Sequence, residues 1–262
     1  MAVAPDPSEV YERSAEEGKR RLDQSLLELV ATSFIAGFTI VFGIAALGIV
    51  EAAFEPRFEN LSGVAGALAF GSGVVFLVVG RAELFTENFF DPVAAAIENP
   101  DSWLVPQLLR LWSVTFVLNL VGGGILVFVI SVEGTLPQGG EHALEQFAVE
   151  TVEREPMTGF AKAVTGGALV TLLSFLLAAV NSVRSRITIS YFVGFLLALG
   201  PFDHVIVTML HVLFGVLVGA AIGVGALAET TAVVTAGNIV GGLGLMTLSH
   251  AAQAKGARDA GD

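Results

Sequence analysis

A membrane-length apolar run that ends in charge limits what this chain can become. Residues 61–80 carry no charged side chain; Arg81, Glu83 and Glu87 then arrive within seven residues, followed by Asp91 and Pro92. A second apolar run is interrupted in the same way at Gly200, Pro201, Phe202, Asp203 and His204. Backbone leaves the helix at membrane depth only where it is buried in protein or lines a water-filled cavity. Two such breaks, one in each half of the chain, predict a binding site or a pore built from discontinuous helices.

Composition agrees with a polytopic, all-α membrane protein. Hydrophobic residues make up 54% of the 262 positions and charged ones 15%, well below the quarter or so usual in soluble domains. Several uncharged runs are long enough for a hydrocarbon core of about 30 Å. The formal charge is −12, with three lysines against ten arginines. An acidic, lysine-poor surface suits a halophilic source, and an ordinary acidic protein is the other account. There is no cysteine, which removes disulfides and thiol chemistry. No basic patch offers a nucleic-acid surface. The glycine runs at 122–124 and 241–244 lie inside apolar spans rather than after strands, and no paired-histidine zinc motif occurs. No enzyme activity, cofactor or metal is expected, and the lipid bilayer is the expected partner.

In chain order the sequence reads as a polar N-terminal tail or short surface helix (1–25), a membrane domain (26–250) and a polar C-terminal tail (251–262). Six spans are expected: 27–50; 61–80 up to the first break, with a half-helix near 91–98; 106–130; 158–180; 187 to the second break, resuming at 205–223; and 232–249. Loops fall at 51–60, 182–186 and 226–231, and a longer connection at 131–157 carries a surface helix over 141–154. Gly200 and Pro201 end the fifth span, because proline lacks a donor and disfavours helix before it. Most lysines and arginines flank the ends that share a side with both termini, which makes those ends cytoplasmic.

The chain also repeats itself. Asn119–Leu120–Val121–Gly122–Gly123 recurs as Asn238–Ile239–Val240–Gly241–Gly242, 36 residues after Glu83 and 35 after Asp203. The repeats cover about 26–130 and 158–250. Three spans per copy invert the second, which faces the two breaks toward each other.

These residues are similar to the formate/nitrite transporter family. Glu83–Leu84–Phe85–Thr86 resembles that family's second-span loop, Phe202–Asp203–His204 its fifth-span break, and Gly237–Asn238–Ile239–Val240–Gly241–Gly242 its sixth-span signature; the resemblance covers about 25–250. It implies a prokaryotic cell-membrane homopentamer of six-span, aquaporin-like protomers with an inverted 3+3 repeat, each with its own pore for a small monovalent anion. It also makes His204 the central pore histidine, Thr86 its partner on the opposite loop, and Phe70, Val74 and Leu84 the apolar constrictions. Where the family usually has a vestibule lysine, a pore asparagine and a second asparagine, this chain has Glu155, Thr171 and Thr208.

Residue chemistry points the same way for His204. An ionisable group inside a membrane is costly to keep, and imidazole titrates near working pH. His204 is therefore expected to hydrogen-bond the substrate and to protonate it at the constriction. Thr86 offers a hydroxyl, or caps its loop. Glu83 and Asp203 are expected to satisfy loose backbone N–H groups at the half-helix starts, with Asn119 and Asn238 supporting the breaks, and Arg81 to pair with Glu83 or Glu87. His211 reads as packing. Three functions remain open: a channel or transporter for a small anion or its conjugate acid, an aquaporin-like facilitator of a neutral solute, and a membrane scaffold or sensor without transport.

Overall fold

A computed structural model describes residues 5–137, 139–200 and 202–261. Its helices are α1 (Pro7–Leu22), α2 (Leu26–Val79), α3 (Asp91–Ile97), α4 (Val105–Ile130), α5 (Gly140–Val152), α6 (Pro156–Ala178), α7 (Val183–Leu199), α8 (Val205–Leu217), α9 (Val224–Ile239) and α10 (Leu248–Gly261). No strand occurs among the described residues.

The 54 residues of α2 would extend roughly 80 Å if straight, far more than a bilayer core of about 30 Å. The helix instead reverses at Phe58, whose φ of −141° and ψ of 51° are not helical, two residues after Pro56. Its two arms pack tightly: a Cβ at Gly43 would lie 3.0 Å from the Cα of Gly73. The expected loop at 51–60 is thus a kinked corner of one helix. Proline removes a single helical hydrogen bond there, and the neighbouring residues keep helical geometry on either side.

The remaining crossings are made by α4, by α6, by α7 with α8, and by α9 continuing into α10. The second arm of α2 is completed by a 3-10 turn (Thr86–Phe89) and α3. Several boundaries differ from expectation, and the resumed fifth span ends at Leu217 rather than 223. The loop expected at 226–231 is helical, its Glu229 and Thr230 turned to a polar cavity at the end of the bundle. The polar C-terminal stretch is the helix α10. Between α9 and α10 the backbone takes a π-helical form over Val240–Thr247, where the Thr247 hydroxyl donates back to the Gly242 carbonyl at 2.9 Å. Pro201 lies outside the described residues.

The helices α1 and α10 meet at one end of the bundle. α1 buries Tyr11, whose ring meets Phe90 edge to face, and carries the Arg258 guanidinium of α10 5.7 Å from its centroid. Arg258 also pairs with Glu12 and Glu98. The outer wall is apolar, with Phe42, Phe76, Leu109, Val117, Phe128 and Phe192 exposed, as a surface facing lipid or other subunits requires.

Candidate functional site

The two breaks are built alike, atom by atom. In the first, α2 ends at Gly80, Arg81 takes a left-handed φ of 54°, and the Glu83 N–H donates to the Thr32 carbonyl at 3.3 Å. The Asn119 amide of α4 bridges the gap: its Oδ1 accepts from the Phe85 N–H at 2.9 Å, and its Nδ2 donates to the carbonyls of Glu83 at 3.0 Å and Ser33 at 2.8 Å. In the second, the Asp203 N–H donates to the Lys162 carbonyl at 3.0 Å. Asn238 of α9 accepts from the Val205 N–H at 2.8 Å and donates to the carbonyls of Asp203 at 2.8 Å and Ala163 at 2.7 Å. The Glu83 and Asp203 carbonyls and two amide hydrogens of the broken backbone are thereby satisfied inside the protein, where each unpaired group would cost about 1–3 kcal/mol, and the bonds to the Ser33 and Ala163 carbonyls tie each asparagine to a neighbouring helix.

The same correspondence explains the glycines after each asparagine. A side chain at Gly122 would collide with the Phe34 carbonyl, and one at Gly241 with the Val164 carbonyl. α4 and α9 approach the first arm of α2 and α6 closely enough for the asparagine to reach across.

Equivalence of Glu83 with Asp203 sets Leu84 against His204, so the centre is asymmetric. Thr86 of the first break contacts Nε2 of His204 from the second, and both side chains are fully buried. His204 also caps α8, its Nδ1 accepting from the Val207 N–H at 3.4 Å. That leaves the hydrogen on Nε2, which donates to the Thr86 Oγ1, while the threonine hydroxyl keeps its own hydrogen to give.

Open volume lies on either side of this pair. Away from the termini, a cavity of about 80 Å³ is bordered by Phe70, Phe202, His204, Thr208 and His211, with Arg154, Lys162 and Asp203 at its mouth. Toward the termini, a vestibule of about 460 Å³ is lined by Arg21, Arg81, Glu83, Glu87, Asp91 and Arg186, among others. Val74, Leu84 and Thr171 border neither volume. They are buried in the packed interior, Thr171 against Gly242.

The carboxylates do not do what the sequence suggested. Glu83 and Asp203 leave the backbone N–H groups to the asparagines and turn to guanidinium groups. Asp203 pairs with Arg154 at 2.5 Å. Glu83 lies 3.3 Å from Arg20 and 3.5 Å from Arg21, and Arg21 also meets Glu87 at 3.2 Å, Asp91 at 3.5 Å and Glu17 at 3.3 Å. Arg81 lines the vestibule instead of pairing with Glu83 or Glu87. On α1, burial alone would raise the Glu17 carboxyl, but the hydrogen bond from Arg20 and the charges of Arg21 and Arg20 outweigh it and hold it at about 2.

Arg20, Arg21, Arg154 and His211 were not singled out as site residues by sequence. Arg20 and Arg21 end an amphipathic helix in a segment that looked like a tail, and Arg154 ends a helix that looked superficial. Only the periodicity of α8 carried a signal: 204, 208 and 211 fall on one helical face.

Comparison with known proteins follows the same lines. The family model described as Formate/nitrite transporter matches residues 8–252. The inner membrane protein YfdC of Escherichia coli is 25% identical over 248 residues, covering 92% of this chain and 77% of its own. A probable formate transporter of Methanothermobacter thermautotrophicus is 26% identical, covering 82% of this chain and 84% of its own. Among solved structures, one titled FNT family ion channel superposes with a TM-score of 0.81 at 15% identity, covering 93% of this chain and 98% of its own. Another, titled pentameric formate channel with formate bound, superposes with a TM-score of 0.71 at 20% identity, covering 86% and 96%. With mirrored breaks bridged by paired asparagines and a family match across nearly its whole length, the chain belongs to the formate/nitrite transporter family and is a membrane transport protein rather than an enzyme.

Proposed function

We propose that this chain conducts a small monovalent anion, formate-like or nitrite-like, or its conjugate weak acid, through a path in each protomer that runs past Thr86 and His204. The observation that carries this reading is the contact between those two side chains, one from each break, with open volume on both sides of it. The Phe70, Phe202 and Val207 walls make a bare anion expensive to pass, whereas a neutral acid loses far less hydration. His204 and Thr86 then supply hydrogen-bond donors to the solute at the narrowest point, and His204 is the group suited to hand it a proton. Lys162, the cation at that cavity not paired with Asp203, gathers anions at the mouth away from the termini.

The likeness to a protein titled as a pentameric formate channel supports a homopentamer, and the apolar outer wall has room for both subunit contacts and lipid. The flanking lysines and arginines support cytoplasmic termini in a prokaryotic cell membrane. A second reading, a facilitator of a neutral solute, draws on the cavity beside His204, which is bordered by Thr208 where the family usually has an asparagine.

Uptake of formate, nitrite, hydrosulfide and acetate into proteoliposomes over a pH series tests the proposal. Flux of at least one is expected, rising as pH falls, and His204→Phe is expected to cut it about tenfold or more, the equivalent of one lost hydrogen bond to a polar partner. Unchanged flux in His204→Phe rejects the histidine's role. Flux of uncharged solutes alone favours the facilitator, and no flux of any solute favours a scaffold.

A further inference from the structure

The cavity beside His204 contains a second histidine whose bonding is incomplete. His211 lies on the same face of α8 as His204 and Thr208, is 1% exposed, and borders the cavity of about 80 Å³. Its Nδ1 is 2.9 Å from the Val207 carbonyl oxygen. A carbonyl only accepts, so Nδ1 carries the ring hydrogen and Nε2 of the neutral imidazole is a bare lone pair. That Nε2 is buried and has no hydrogen-bond partner among the described residues. The ring is fixed against Phe147 with centroids 4.4 Å apart, so it does not swing away to find one.

Val207 therefore sets the two histidines in opposite tautomers. Its N–H goes to Nδ1 of His204 and its carbonyl takes the Nδ1 hydrogen of His211. One ring presents a donor toward Thr86, and the other, which borders the cavity, holds a buried acceptor without a partner among the described residues. The charged groups bordering the same cavity are Arg154, Lys162 and Asp203, and Asp203 is already paired with Arg154. No hydrogen bond or ion pair among the described residues joins any of them to His211.

We infer that His211 is a second substrate-contacting residue, a hydrogen-bond acceptor that selects the protonated form of a small weak acid in the cavity beside His204. The inference rests on the transport reading above and adds to it the form of the solute that is held. An anion without a hydrogen would set lone pair against lone pair, whereas an acid O–H or S–H completes Nε2. The cavity volume is two to three times the roughly 30 Å³ that a water molecule occupies in the liquid, which suits a solute of three or four heavy atoms.

Two variants and one spectroscopic readout test this. His211→Phe keeps a ring against Phe147 and removes the acceptor. His211→Gln can donate to the Val207 carbonyl and still present an oxygen to the cavity. With thermal midpoint and oligomer size checked for both, His211→Phe is expected to lower formate uptake about tenfold, and His211→Gln to stay within about threefold of the parent. Nitrogen-15 spectra of histidine-labelled protein are expected to show His211 with a protonated Nδ1, and an Nε2 resonance that moves when formate is added under acidic conditions. Wild-type flux in His211→Phe, or a glutamine variant as slow as the phenylalanine one, overturns the inference. Formate flux without movement of the Nε2 resonance overturns it while leaving transport intact. Movement of that resonance in a protein that carries no flux upholds the acceptor and rejects the transport reading, and neither flux nor movement rejects both.

Discussion

Replacing Arg21 by methionine is expected to destabilise the protein by about 3–5 kcal/mol, because it strips the cation from a buried set of carboxylates. Arg21 lies within 3.5 Å of Glu83, Glu87 and Asp91, and all four side chains are largely buried. Arg20 reaches Glu83 at 3.3 Å, but no distance links it to Glu87 or Asp91 among the described ion pairs. The loss falls where it matters, since Glu87 immediately follows Thr86 and Asp91 opens α3. A fall of about 10 °C in the unfolding midpoint in detergent corresponds to that energy. The deficit narrows at low pH, where neutral carboxyls no longer need a cation. Adding Glu87→Gln and Asp91→Asn to the Arg21→Met protein is expected to restore most of the midpoint, because a set of neutral groups carries no uncompensated charge. An Arg21→Met protein with an unchanged midpoint would mean that the cluster is not held by charge.

Asn238→Leu is expected to cost about 3 kcal/mol or more and to abolish flux. The leucine nearly matches the asparagine in size but leaves the Val205 N–H and the Asp203 and Ala163 carbonyls without the partner each has now. Val205 opens α8 directly after His204, so the loss also loosens the residue that meets Thr86. Asn119→Leu is expected to behave alike through the Phe85 N–H and the Glu83 and Ser33 carbonyls. Asn238→Asp separates packing from bonding: it keeps an oxygen for Val205 but turns a carboxylate toward two carbonyls, and should be as harmful as the leucine. A benign Asn238→Asp would contradict the donor role of the amide.

The breaks were legible because charge and proline have few places to go inside an apolar run, and the repeat because Asn-x-x-Gly-Gly occurs twice at nearly equal distance from them. The geometry gives that motif its reason, with glycine admitting the neighbouring backbone and asparagine bonding across it. What stayed hidden depends on approach in space rather than on pattern. Nothing local joins Arg21 to Glu87, 66 residues later, so α1 read as a tail or a surface helix although it closes over the vestibule. Likewise Glu83 and Asp203 looked like helix caps, since an acid at a half-helix start has that use by default; arginines from α1 and from the bend after α5 claim them instead. The corner at Phe58 looked like a loop because Glu51, Glu55, Arg57 and Glu59 gather there, yet charged residues at the end of a bundle are compatible with helix. His211 looked like packing because its open nitrogen is visible only once the Val207 carbonyl has taken the other.

The absence of cysteine makes the meeting of the two breaks directly testable. Thr86→Cys places a thiolate beside the His204 imidazole, a pair suited to bind a soft divalent metal. Formate uptake by that variant in proteoliposomes is expected to be blocked by micromolar cadmium and restored by a chelator, while the parent protein and Thr86→Cys combined with His204→Phe are unaffected. Uptake through Thr86→Cys that cadmium leaves untouched would mean that solute does not pass between Thr86 and His204.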